Sequence, residues 1–214
     1  MAMKPLENFS PVFLPSNENL ESAYTLLLLH GTGGSENDLI PIGRVFGKKI
    51  NLLSIKGQVE ENGMIRFFKR HSEGVFDIDD LKFRTNEITD FIYSASEIYG
   101  FNTEKIIALG YSNGANLAGS ILLIHPELLA GAILIRPMIP FKPDFIVDLK
   151  NRPVLLSAGK NDFTVPAGQS KEWADLLANF NSKVTLHYEN AGHNLTQQDI
   201  SFAIEWFKLY FEKN

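Results

Sequence analysis

The stretch Lys105–Ile124, KIIALGYSNGANLAGSILLI, joins two different patterns at a serine. KIIAL is short, apolar and stopped by Gly110, which suits a strand buried on both faces. From Asn113 onward the residues turn small and aliphatic, which suits a buried helix. Between the two lies Gly110-Tyr111-Ser112-Asn113-Gly114, with the spacing G-x-S-x-G. In that spacing a serine stands on a sharp strand-to-helix turn, and its neighbours two positions away must be small for strand and helix to approach. Ser112 is therefore the candidate nucleophile. The plainer reading, a serine capping a helix after an ordinary glycine turn, accounts for neither the strand before it nor the small-residue helix after it.

Outward from this stretch, short apolar runs alternate with longer amphipathic ones. Strands are predicted at Thr25–Leu29, Asn51–Ile55, Gly131–Ile135 and Pro153–Ser157, with an alternating outer strand at Lys183–Tyr188. Helices are predicted from Ser35 to Phe46 with Ser35 as N-cap, Asp79 to Tyr99 closed by Gly100, Gln169 to Phe180, and Thr196 to Glu212. The order implies a mostly parallel sheet with helices on both faces, in one α/β domain spanning residues 1–214. Ligands in such sheets bind beyond the C-terminal strand ends. The irregular stretch 56–77 has two readings: its Phe67, Phe68 and Phe76 line a site, or they pack down beneath a surface loop.

A serine hydroxyl needs a base. His193, in AGHN after the last strand, is the candidate. His30 fits a loop after the first strand, His71 lies in the irregular stretch, His125 ends a helix before Pro126, and His187 falls within a strand. Asp162 follows the strand PVLLS and is placed to orient the imidazole, with a turn or cap role as its plainer alternative. The order Ser, Asp, His fits an α/β sheet enzyme rather than the orders of chymotrypsin or subtilisin. Two donors must meet a tetrahedral oxyanion. The N–H of Asn113 is one. The turn His30-Gly31-Thr32-Gly33-Gly34 supplies the other, Thr32 first and Gly33 second. A phosphate cradle is the competing reading of that turn, but neither G-x-G-x-x-G nor a P-loop ending is present.

Composition narrows the classes. A net charge of −5 disfavours nucleic acid as a partner. The densest basic stretch, Arg66–Arg70, encloses Phe67 and Phe68 and reads as a solvated loop with an apolar anchor. There is no cysteine, so disulfides, thiolate metal sites and a cysteine nucleophile are excluded. Met1–Pro15 has no continuous apolar core and does not read as a signal peptide. Leu26–Leu29 is far too short to span a bilayer. A cytoplasmic protein without stable membrane insertion is expected; monomer and homodimer both stay open.

Taken together, LHGTGGSENDL, GYSNGAN, AGKNDFTVP and AGHNL resemble the small phospholipase/carboxylesterase branch of the α/β-hydrolases, from about Leu26 to the C-terminus. GVFDIDDL and ILIRPMIPF are similar to that group too. The resemblance implies an α/β-hydrolase fold without a large cap and a serine esterase requiring no cofactor or metal. It implies Ser112, Asp162 and His193 as the triad, with Thr32 and Asn113 as oxyanion donors. The expected substrate is a small-molecule ester with a small to medium acyl group. A lysophospholipase or acyl thioesterase is the alternative, favoured by an apolar groove at Phe67, Phe68 and Ile139. Eukaryotic acyl-protein thioesterases of this fold usually carry Gln after the serine, where this chain has Asn113. A non-catalytic binding protein and a peptidase complete the readings. An intact triad argues against the first, and the lack of a long insertion against the second.

Overall fold

A computed structural model describes residues 9–212. The first eight residues of the Met1–Pro15 stretch, read above as no leader, lie outside the described residues.

Among the described residues there are eleven strands and five α-helices. The strands are β1 (Val12–Leu14), β2 (Thr25–Leu29), β3 (Asn51–Ile55), β4 (Val59–Glu61), β5 (Met64–Arg66), β6 (Arg70–Ser72), β7 (Val75–Phe76), β8 (Ile106–Tyr111), β9 (Gly131–Ile135), β10 (Pro153–Gly159) and β11 (Lys183–Glu189). The helices are α1 (Ile40–Val45), α2 (Ile78–Tyr99), α3 (Asn113–Ile124), α4 (Ala167–Asn179) and α5 (Gln197–Phe211). The main sheet runs β1-β3-β2-β8-β9-β10-β11. It is parallel except for β1, which pairs antiparallel with β3. This is the α/β-hydrolase fold, and the described residues form no large cap over it.

Strand residues alternate between two cores, because successive side chains leave opposite faces. Leu27, Leu29, Ala108, Leu134 and Leu156 pack under α2, α3 and α4. Leu26, Leu28, Leu109, Ile133 and Leu155 pack under α1 and α5. β2 is buried at every residue, which explains its unbroken TLLLL. α3 lies in the middle of one layer, with all residues from Asn113 to Leu123 buried. Its Ala, Gly and Ser residues let it sit close to the sheet.

The helix predicted from Ser35 is shorter than expected. It begins at Ile40 after Leu39 as N-cap, and residues 36–39 form turns. Pro41 is the reason: it lacks an N–H and is tolerated only in a first turn. The Ser35 hydroxyl donates to the Asp38 carboxylate instead of capping a helix. α2 starts where the Asp77 carboxylate accepts the N–H of Asp80, and ends at Gly100 with φ 75°. No helix among the described residues is long and apolar enough to cross a membrane.

The irregular stretch resolves into two small hairpins, β4–β5 and β6–β7. Between them Phe67 and Phe68 turn inward to 1% and 0% exposure. They join the core beneath α2 and α3, and Phe76 meets Phe68 edge-on at 5.1 Å. Ile139 packs half-buried against the same core. Of the residues expected to contact substrate, Phe67 and Phe68 are thus core positions, and Ile139 packs against that core. Nor is Arg66 part of a solvated loop, since it is 3% exposed. Phe68→Ala is therefore expected to lower unfolding free energy by about 3–5 kcal/mol, read as a shift of the urea midpoint. A wild-type midpoint with an altered acyl preference would return Phe68 to the binding site.

Candidate active site

Ser112, Asp162, His193 and Thr32 each follow a parallel strand, β8, β10, β11 and β2, and so gather at one edge of the sheet. Ser112 has φ 50° and ψ −111°, a conformation an L-residue holds only when its surroundings enforce it. Its N–H donates to the Ile135 carbonyl at 2.9 Å, and its own carbonyl receives the Asn116 N–H at 2.9 Å. The two motif glycines make the turn sterically feasible. A Cβ on Gly110 would stand 2.6 Å from the Ala115 nitrogen, and one on Gly114 would collide with the Leu29 carbonyl. Strand β8, helix α3 and strand β2 meet there with no room for a methyl group.

His193 Nε2 lies 2.8 Å from Ser112 Oγ, and His193 Nδ1 lies 2.8 Å from Asp162 Oδ2. The Asp162 side chain is fully buried. Its other oxygen accepts the N–H groups of Thr164 and Val165 at 2.8 and 2.9 Å. Both readings of Asp162 therefore hold, one on each oxygen: it shapes a turn and it faces the imidazole. The loops that carry Asp162 and His193 are tied directly, Lys160 N–H to the Glu189 carbonyl and Asn161 N–H to the Ala191 carbonyl. Such a chain can draw a proton from the serine and hold the imidazole in one tautomer. The other histidines stand elsewhere. His71 lies in β6, His125 caps α3, and His187 stacks on Phe202.

A second set of contacts holds the His193 loop, and sequence reasoning missed it. Arg136 follows β9, has φ 55° and is completely buried. Its terminal nitrogens donate to both oxygens of Asp199 at 2.9 Å. Its Nε donates to the Gly192 carbonyl at 2.9 Å, and its Nη2 to the Asn194 carbonyl at 3.1 Å. The Tyr111 hydroxyl donates to the carbonyl between them, that of His193, at 3.1 Å. Burial acts to raise the Asp199 pKa, but hydrogen bonds from Arg136, Ser157 and Thr196 bring it below the ordinary value. The carboxylate is therefore charged against Arg136. Asp199 also completes a capping box with Thr196 at the start of α5.

The turn after β2 is equally fixed. The His30 ring stacks on Phe67 at 4.5 Å. Its Nε2 accepts the Gly57 N–H at 3.0 Å, which leaves Nδ1 to donate to the Gly31 carbonyl at 2.7 Å. Burial pushes its pKa below the usual 6.5. Gly33, the second choice for the oxyanion, donates its N–H to the Ile65 carbonyl at 2.8 Å and is committed to β5. The Thr32 hydroxyl accepts from Arg66 Nη1 at 2.7 Å. Asn113 accepts the Phe67 N–H on its side-chain oxygen at 2.7 Å. A cleft of about 230 Å³ opens beside Ser112, lined among others by Thr32, Arg66, Arg70, Phe76, Met138 and His193. Phe67, Phe68 and Ile139 do not line it. A larger hollow near Tyr24, Phe46 and Phe207 lies at the start of β2, at the opposite edge of the sheet.

Two outcomes follow for stability. Arg136→Met strands a buried carboxylate, so unfolding free energy is expected to drop by about 3–5 kcal/mol, with the urea midpoint as readout. A wild-type midpoint would contradict this brace. The second concerns pH. Above about 6.5 the His30 imidazole is neutral in both folded and unfolded chains. As the pH falls below that value the unfolded chain takes up the proton first, and stability declines until the lowered folded value is reached. Wild type should therefore lose more stability between about pH 7 and 5 than His30→Gln does; parallel pH profiles would refute the assignment.

Residues 16–210 match the family model described as phospholipase/carboxylesterase. The chain is 46% identical over 183 residues to a putative hydrolase, MhqD, of Bacillus subtilis (strain 168), covering 86% of this chain and 92% of that one. The crystal structure of the Bacillus cereus carboxylesterase superposes with a TM-score of 0.92 at 42% identity, over 95% of both chains. A structure of YahD with malic acid gives a TM-score of 0.88 at 29% identity, over 94% of this chain and 99% of that one. The motifs around Ser112, Asp162 and His193 all fall within the matched span. With these proteins it shares fold and sequence over nearly its whole length, and the chain belongs to the phospholipase/carboxylesterase family.

Proposed function

We propose that the protein is a serine carboxylesterase that hydrolyses small to medium esters through an acyl-enzyme on Ser112. The observation that carries this reading is the unbroken relay Ser112–His193–Asp162, with 2.8 Å at both links. His193 Nε2 takes the Ser112 proton as Oγ attacks the ester carbonyl. The developing oxyanion is met by the backbone N–H groups of Asn113 and Thr32. Thr32 is supported for this role by the Arg66 bond that fixes its side chain. His193 then gives its proton to the leaving alcohol as the acyl C–O bond breaks. In the second half His193 activates water, which attacks the acyl-enzyme and restores the free serine. Asp162 stabilises the imidazolium that forms in each half.

The size of the cleft supports small and medium acyl groups. A lysophospholipase or acyl thioesterase needs a long apolar groove. Phe67 and Phe68 supply none, because both are core residues. That reading is the weaker of the two.

Ser112→Ala is expected to cut hydrolysis of 4-nitrophenyl butyrate by at least about a thousandfold while leaving the urea midpoint near wild type. A fluorophosphonate should label the Ser112 peptide in wild type alone. Full turnover in the variant, or labelling at another serine, would overturn the assignment.

A further inference from the structure

One wall of the cleft carries two guanidinium groups that the reaction itself does not use. Arg66 is nearly inaccessible; its Nη1 donates to Thr32 and its Nε to the Phe68 carbonyl at 3.3 Å. Its Nη2 makes no hydrogen bond among the described residues. Arg70 directs Nε at both oxygens of Glu61, at 2.9 and 3.2 Å, and its terminal nitrogens are likewise unbonded among the described residues. Glu61 is also the carboxylate nearest Arg66, at 3.7 Å from Nε. Two cations therefore share one anion, and one positive charge is left over beside the nucleophile.

Other groups on the cleft do not cancel it. Glu73 is exposed on the β6–β7 turn, where water solvates it. Asn113 adds a buried amide nitrogen with no hydrogen-bond partner among the described residues. Burial, followed by repulsion from Arg70, lowers the pKa of Arg66 against the pull of Glu61. A buried guanidinium with unfilled donors is costly until an anion meets it, and its planar fork matches a carboxylate.

We propose that the cleft selects esters bearing a second, ionised carboxylate, held by the free donors of Arg66 and Arg70 while Ser112 attacks the ester carbonyl. The inference rests on the esterase reading above. The chemistry is otherwise unchanged: Oγ replaces the alcohol at the acyl carbon, His193 protonates that alcohol, and water releases the acid.

The test compares esters matched in shape but not in charge. For the acyl half these are the 4-nitrophenyl monoesters of adipic and hexanoic acid; for the alcohol half, 3-butyryloxybenzoate and its methyl ester. Wild type is expected to favour the charged member of at least one pair by about tenfold or more in kcat/KM, chiefly through KM. Arg70→Met, which keeps the apolar stem, should collapse that ratio towards one. Glu61→Gln should enlarge it by freeing Arg70, and about 0.5 M salt should shrink it. Arg66 is left intact because it also holds Thr32. Equal or inverted ratios in both pairs, or a ratio untouched by Arg70→Met, would overturn the inference and leave the esterase reading standing. No hydrolysis of any of the four esters would sink both.

Discussion

The backbone at Ser112 is held in a conformation it would not choose. A φ of 50° and a ψ of −111° in a serine must be enforced by the surroundings. The enforcement comes from three directions: the Ile135 carbonyl, the end of β2, and the first turn of α3. The turn lifts the hydroxyl clear of the sheet and brings the start of α3 against the β2 loop. Much else in the chain follows from that crowding. The glycines at 110 and 114, the small residues along α3 and the unbroken leucines of β2 all serve the same close approach.

The remaining loops are positioned by long-range polar contacts rather than by their own propensity. Arg136 grips the carbonyls on either side of His193, and Tyr111 grips the one between. The β4–β5 hairpin reaches back to Gly33 and Thr32, while Phe67 bonds the side chain of Asn113. The His193 loop and the turn after β2 are thus each fixed from outside, and neither depends on a rigid loop sequence of its own. That arrangement suits groups that must stay within a few tenths of an ångström during turnover.

Much of this was legible in the sequence. Strands β2, β3 and β9 and helix α3 begin and end where their apolar runs do, because burial on both faces leaves an unbroken signature. The grouping of Ser112, Asp162 and His193 was legible because each of the three follows a parallel strand. What stayed hidden was of two kinds. Strand β1, with three residues between Pro11 and Pro15, is too short to show a period, as are β4 to β7. Arg66 reads as part of a solvated loop and Arg136 carries no signal of its place, since burial of an arginine depends on partners far along the chain. Asp199 lies 63 residues from Arg136. Pro41 was the one readable signal passed over; it rules out a helix starting at Ser35.

Asp199 belongs to two structures at once. It closes the first turn of α5 and it neutralises the arginine that holds the His193 loop. Fraying of that helix end therefore cannot remain local. When α5 opens, the carboxylate leaves, the arginine loses its counter-charge deep in the protein, and the carbonyls flanking the base are released together. The last helix and the His193 loop form one cooperative unit, so slow amide exchange along the start of α5 reports on the readiness of a loop at the other end of that contact.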